Sequence, residues 1–382
     1  MGESFDVAIV GGGPAGTSIG IALARAAGAG RSIAVLERSG YEQGRIGETL
    51  PPEASVPLTQ LGVWDWFLEQ GHAPSPGTAS AWGQEGLEEN HFIFNPYGNG
   101  WHLDRRRFDA MLAAVATEAG VTLHRTARMT SCEQGPSGEW RVGYVCDGRP
   151  CQLRARFLVD ATGRACIAAR RQGARRIPFD RLIGVAGIFS QSSSTSEEDY
   201  RTLVEAVADG WWYSALLPQS RIMVAYMTDA DLIPKLSEGV GAYWQSQLER
   251  TAYTHSRVKG LPLLSSIRIV SARSEALDRI AGRNWLATGD AAISFDPLSS
   301  QGIYYALKSG LLAARAIEGY LDGDPTAIAE VSNWTRESFN RYWQMHLLHY
   351  CHEQRWPDSL FWRRRRPGNE VQTRVMNAAV AI

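Results

Sequence analysis

The chain predicts an α/β fold, and three observations carry that expectation. Two apolar runs, FDVAIV and SIAVLE, flank a glycine turn and a small-residue helix (Ile19 to Ala27) between Phe5 and Glu37, the pattern of a βαβ unit in a parallel sheet. Residues 181–230 and 264–273 alternate like strands of a second, antiparallel sheet. Residues 326 to about 350 read as an aromatic-rich helix. No internal repeat or Pro/Ser-rich linker separates these blocks, so the two domains are expected to interleave. The architecture is thus a Rossmann-like domain interleaved with an antiparallel-sheet domain, followed by a helical C-terminal tail.

The elements between these landmarks follow in order. Residues 40–55 are Gly-, Pro- and Glu-rich and read as loop, and Val56 to Gln70 has apolar residues at helical spacing. Residues 72–100 are rich in Gly, Pro and Asn and read as an excursion from the sheet. Arg105 to Ala119 is helical, with Phe108, Met111, Leu112 and Val115 on one face. Short alternating runs at 121–131, 139–145 and 151–160 suggest a small antiparallel sheet that returns to the main one. SQSSSTSEED at 190–199 is a solvated loop, 240–253 a helix, NWLATGD at 284–290 a strand and turn, and Gln301 to Leu321 a helix.

Composition excludes several classes. At 382 residues, with 44% hydrophobic and 21% charged side chains, the chain is neither disordered nor fibrous. A net charge of −1 gives no sign of nucleic-acid binding. The five cysteines form no C-x-x-C pair and are odd in number, which suits free thiols in a reducing compartment. No signal-like segment precedes Phe5 and no apolar run is long enough to span a membrane, so a cytoplasmic location is expected. No metal-ligand spacing stands out. Lysine occurs only at Lys235, Lys259 and Lys308; the other basic residues are arginine. Residues 1–234 therefore hold no lysine.

Gly11, Gly13 and Gly16, with Pro14 and Ala15 between them, complete a G-x-G-x-x-G turn after a strand and before a helix. Such a turn lets backbone approach a pyrophosphate at a helix N-terminus. Glu37 lies about 20 residues further on, the spacing of a ribose-binding carboxylate. Three further segments narrow the reading: WHLDRRRFD (101–109), VDATGR (159–164) and GDAAISFDPLSSQGI (289–303). In this order, with the glycine turn, they resemble FAD-dependent monooxygenases of the p-hydroxybenzoate hydroxylase-like fold. The resemblance implies that Asp290 meets the ribityl–pyrophosphate region of FAD. It places backbone N–H groups from Pro297 to Ile303, Gly302 included, near the flavin N1–C2=O edge, where they would stabilise an anionic reduced flavin. Arg45 and Arg105 would face phosphate or ribityl groups. Arg38, Met129 and Gly163 complete the expected cofactor set. The resemblance also suggests a domain division: 1–75, 101–175 and 275–325 for FAD, 76–100 and 176–274 for substrate, and 326–382 as C-terminal helical segment.

Within that fold, GRIGETLPP (44–52), LGVWDWF (61–67), DPLSSQGI (296–303) and EQRWPDSLFWRRR (353–365) are similar to the tryptophan-halogenase-like branch. Flavin halogenases of that branch carry a lysine after the G-E-x-x-x-P segment and a W-x-W-x-I-P signature. Here GTASAWG (77–83) and GWWYSALLP (210–218) stand in those places, with neither feature. Residues 47–83 and 94–109 resemble the LodB/GoxB/QhpG-type group, flavoproteins that hydroxylate a tryptophan side chain in a precursor protein. The resemblance implies an FAD-dependent monooxygenase acting on an indole, on a peptide or protein carrier or as a small molecule. It would use O2 and electrons from NAD(P)H, taken directly or through a flavin reductase. A flavin halogenase and an FAD-dependent dehydrogenase or reductase of the geranylgeranyl-reductase type remain alternatives. Candidate proton acceptors are Glu48, His72, His91 and Asp296. Trp82, Trp101, Trp211 and Tyr213 are candidate substrate-lining rings. The tail aromatics Tyr342, Trp343, His346, Tyr350, Trp356, Phe361 and Trp362, with Arg363 to Arg366, are expected as anchors for a carrier.

Overall fold

The strand Glu3–Val10 ends at the glycine turn and the helix Pro14–Arg25 leaves it, with Pro14 at the first helical position. The structure is a computed structural model that describes residues 3–26, 30–191, 199–234 and 239–366. Most of the 190–199 loop, Lys235 and the tail beyond Arg366 lie outside the described residues. Glu3–Val10 pairs in parallel with Ile33–Leu36 on one side and with the end of the long strand Arg149–Asp160 on the other. Trp285–Ala287 and Thr122–His124 extend this parallel sheet at its two flanks. The first half of Arg149–Asp160 carries an antiparallel ribbon, Trp140–Cys146 and then Ala127–Gln134. The expected 121–131 run is split here. Thr126 adopts φ 50° between its two parts, and each part joins a different arrangement.

The second sheet runs in the order Arg268–Ser271, Leu182–Ser190, Arg221–Asp229, Gly210–Leu217, Thr202–Val207, Gly77–Ala81, Glu88–His91. The 72–100 excursion therefore contains regular structure that its composition hides. Gly77–Ala81 pairs in parallel with Thr202–Val207, burying Ala79 and Ala81. Gly100–His102 joins Thr49–Leu50 and Ala73–Ser75 in a small sheet between the two large ones. The expected 56–70 helix is two short helices, Ser55–Gln60 and Trp64–Leu68, because Gly62 turns the chain at φ 65°. The expected 240–253 helix likewise divides into Gly239–Leu248 and Tyr253–Val258. Gly302–Leu321 and the tail helix Ala327–His352 follow the expectation closely.

The main core is Val7, Ile9, Ile19, Val35, Leu311 and their neighbours, between the parallel sheet and its helices. Gly310 sets how closely Gly302–Leu321 crosses Pro14–Arg25. A Cβ there would lie 2.7 Å from Ser18 Cβ and 2.8 Å from the Ala15 carbonyl oxygen. Gly310→Val should therefore push the two helices apart at a cost of roughly 1–3 kcal/mol. A denaturation midpoint equal to the parent's would contradict this packing.

Candidate active site

The glycine turn is held from below by backbone. A Cβ on Gly11 would stand 2.2 Å from the Ala161 carbonyl oxygen, and one on Gly16 only 1.9 Å from that of Gly11. Gly11 also sits at φ 106°, a conformation that favours glycine. Asp160, outside the expected set, keeps the Ala161 loop in place: it accepts from Thr162 N–H, the Thr162 hydroxyl and Ala169 N–H at 2.7–2.9 Å. Gly289, at φ 58°, brings the Gly-Asp turn against Ala15.

Above the turn there is room. A Cβ on Gly13 would meet only the Arg45 guanidinium, at 3.3 Å, and one on Gly163 or Gly302 would meet nothing within 4 Å. Gly13 and Gln301 stand before helices with no side-chain cap. Two helix starts thus keep N–H donors for an outside acceptor, and the one at the glycine turn suits a dinucleotide diphosphate. Glu37 is buried and accepts from Gly12 N–H at 2.8 Å, Ser39 N–H and hydroxyl, and Arg45. Arg45 also faces Asp109 at 3.4 Å, and Arg105 makes a forked pair with Asp109 at 3.1 Å and donates to the Gly47 carbonyl. Arg38 is exposed. The Met129 side chain is packed in the core with Phe5, Ala8 and Leu36. Asp290 is half-buried, 3.7 Å from Arg164, which also donates to the Phe295 carbonyl. Pro297 opens the turn Pro297–Ser299, and Ile303 is buried one residue into the following helix.

The four candidate proton acceptors separate. Glu48 is buried beside Arg105, and its carboxylate accepts from Gly47 N–H at 2.9 Å. Burial pushes its pKa up to about 7, against the pull of that N–H and of Arg105. Tyr213, whose hydroxyl meets Thr49 Oγ1 at 2.5 Å, lies within its field. His72 is buried against Phe67 and Phe108, takes the Asp104 N–H on Nδ1, and is pulled down to about 4 by burial. It is a neutral packing group. His91 is exposed on the edge strand Glu88–His91, paired with Glu89, and is not brought near the other three. Trp101 packs edge-on to Phe67 and Trp64 rather than beside the other candidate rings.

Asp296 belongs to a buried network that the sequence reading did not anticipate. Its carboxylate accepts from Leu298 N–H and from the Tyr350 hydroxyl, both at 2.8 Å, and Tyr350 in turn accepts from Trp211 Nε1–H at 2.8 Å. Tyr342 accepts the Asp296 backbone N–H at 2.9 Å and meets Ser274 at 2.6 Å. Tyr342, His346 and Tyr350 are spaced four apart on one face of the tail helix, a signal that the sequence did carry. Trp82 packs edge-on to Trp211, Tyr350 and Trp362. Its Nε1–H donates to the His349 carbonyl, Gly83 N–H donates to Glu353, and Arg355 donates to the Ala81 carbonyl.

The expectation of a surface anchor is corrected accordingly. Tyr342, His346, Tyr350, Phe361 and Trp362 are buried: Tyr350, Phe361 and Trp362 pack with residues of the second sheet, and Tyr342 packs with Phe179, Phe295 and Tyr305. Arg365 is buried against Asp229, and Arg364 bridges Asp229 and Asp231.

A parallel-sheet domain with a glycine turn, joined to an antiparallel sheet by a buried acid–aromatic seam, defines a flavin-dependent enzyme. The chain belongs to the tryptophan halogenase family, whose model matches residues 86–380. It is 29% identical over 97% of its length to LodB of Marinomonas mediterranea, named as an FAD-dependent oxidoreductase, and spans 99% of that protein. The myxobacterial chondrochloren halogenase CndH, an FAD-dependent halogenase, superimposes with a TM-score of 0.88 at 25% identity, over 99% of this chain and 89% of that one. The peptidyl tryptophan dihydroxylase QhpG superimposes with a TM-score of 0.78 at 24% identity, over 95% and 78% of the two chains.

Gly13→Asp should leave the fold intact, since the position is open, and should lower FAD affinity at least tenfold by setting a carboxylate where the diphosphate is expected. Unchanged FAD titration with an unchanged far-ultraviolet spectrum would reject the turn as the diphosphate site. A second outcome concerns stability without FAD. Glu48 ordinarily titrates near 4.5 and is raised to about 7 on folding, so its contribution is full below about 4.5 and is lost as pH rises through 7. Glu48→Gln should flatten that part of the stability–pH curve; parallel curves for parent and variant would contradict the burial assigned to Glu48.

Proposed function

We propose that the protein is an FAD-dependent monooxygenase that hydroxylates the indole of a tryptophan carried on a peptide or protein. One observation carries this reading. The segment where the halogenase branch holds its lysine is here the strand Gly77–Ala81 and Trp82, and residues 1–234 contain no lysine. Lys308 lies on the outer face of its helix over the Tyr304 and Trp334 rings. In place of an ammonium group the seam offers aromatic rings and a buried carboxyl.

Bound FAD would supply the activated oxygen, and the glycine turn with the two helix starts would hold it. The net reaction sets one atom of O2 on a ring carbon, and the displaced hydrogen leaves as a proton. The other oxygen atom becomes water with two electrons from NAD(P)H, delivered directly or by a flavin reductase. Glu48, a buried carboxylate that accepts from the Gly47 N–H, is the residue suited to take that proton near neutral pH. Trp82 packs edge-on to Trp211 and Tyr350 in a buried cluster that would exclude water from an indole site beside it. QhpG, which shares the fold, acts on peptidyl tryptophan, and this supports a peptide-borne substrate.

The likeness to CndH favours halogenation as the second reading. Turnover of a tryptophan peptide with heavy-oxygen-labelled O2 and excess bromide separates them. The product should gain one labelled oxygen atom and no bromine. A brominated product would overturn the monooxygenase reading, and a change of two hydrogens alone would point to a dehydrogenase or reductase.

A further inference from the structure

The buried seam around Asp296 holds more acid than base. The half-buried Asp180 lies close enough to Asp296 to raise the proton affinity of its carboxyl. Arg365 reaches this cluster over the Tyr350 ring but is committed to Asp229 at 2.7 Å. His346 stands 3.7 Å from the Asp296 carboxylate, yet burial and the charge of Arg365 pull its pKa to about 3, so it adds no charge. The remaining neighbours of Asp296, Tyr342 and Tyr350, are neutral hydroxyls whose own ionisation burial suppresses. A carboxyl in this setting has no cation of its own among the described residues and sits near the border between its two protonation states.

Its position in the chain gives that border a use. Asp296 immediately precedes Pro297, and its side chain caps the turn Pro297–Ser299 that leads to the uncapped start of Gly302–Leu321. Phe295, its other neighbour, is tied through Arg164 to Asp290. We propose that Asp296 binds a proton when FAD held at this turn is reduced, so that the protein takes up one proton beyond the one the flavin itself requires. The inference rests on the proposed FAD site and goes beyond it. Reduction of the flavin to its anionic reduced form consumes two electrons and one proton. With FAD held at the Pro297 turn, the negative charge gained on reduction would raise the proton affinity of Asp296, whose carboxylate would take a second proton from solvent. The Tyr350 hydroxyl, held by Trp211 Nε1–H on its other side, is a positioning group that fixes the pH at which this occurs.

The sign follows from the groups named. Burial and Asp180 set the Asp296 pKa at about 7. Below that pH the carboxyl is protonated before reduction and takes up nothing. Above it, and up to the higher pKa of the reduced state, it takes up one proton per two electrons. Reductive titration with dithionite, following the potential of the FAD-loaded protein against pH, reads this directly. The parent should show two protons per two electrons in a window opening near pH 7, and Asp296→Asn should show one across that window. Tyr350→Phe removes a donor to the carboxylate, so its window should move to higher pH with the step retained. An equal proton count in parent and Asp296→Asn at every pH overturns the inference. If Asp296→Asn loses FAD, an unmoved window in Tyr350→Phe overturns it instead. A parent that binds no FAD fails the site assignment and the inference together, whereas a brominated product would fail only the oxygenation reading.

Discussion

Close approach of glycine backbone around the first strand–helix unit is the constraint on which the rest depends. Gly11 lies against the Ala161 carbonyl, Gly16 against Gly11, Gly289 against Ala15, and Gly310 against Ser18. Each contact leaves no space for a side chain; together they bring the ends of three strands to one point, the start of Pro14–Arg25, and lay the middle of Gly302–Leu321 across that helix. Asp160 fixes the loop beneath that point with three hydrogen bonds. A cluster of uncapped helix starts is costly to leave unsolvated and favourable beside a diphosphate, which is why the fold and the cofactor reading support one another.

The second organising feature is the tail. Its helix presents Tyr342, His346 and Tyr350 to Asp296, and the segment after it clamps residues 81–83 through Glu353 and Arg355. The C-terminal part of the chain thus closes both the turn expected to face the flavin and the strand Gly77–Ala81. Two carboxyls, Glu48 and Asp296, are buried with pKa values near 7, Glu48 beside Arg105 and Asp296 within the hydrogen-bond network of the tail helix. Their environments suit different tasks: proton transfer at the substrate, and charge balance at the cofactor.

The parallel sheet, the glycine turn and the long helices were legible because each has a strong period or a motif with a steric cause. The strands at 77–81 and 88–91 were not, since Gly, Ala and Asn carry little strand preference and the pairing with Thr202–Val207 is set by distant sequence. Glu48 and Asp296 were legible as carboxylates in motif segments, but their burial was not. The direction of the tail aromatics was misread for the same reason: spacing shows that Tyr342, His346 and Tyr350 share a face, and only packing shows that the face points inward. His91 and Trp101 had residue type in their favour and no geometry.

The central claim is that one corner of the molecule holds the cofactor with its reactive end at the acid–aromatic seam. A crystal structure of the protein with FAD tests it most directly. The account predicts the diphosphate on the N–H groups of Gly13 to Gly16 and the flavin ring against residues 297–303, on the side that faces Glu48 and Trp82. A flavin ring bound away from the Pro297 turn, or a diphosphate held elsewhere, would contradict it.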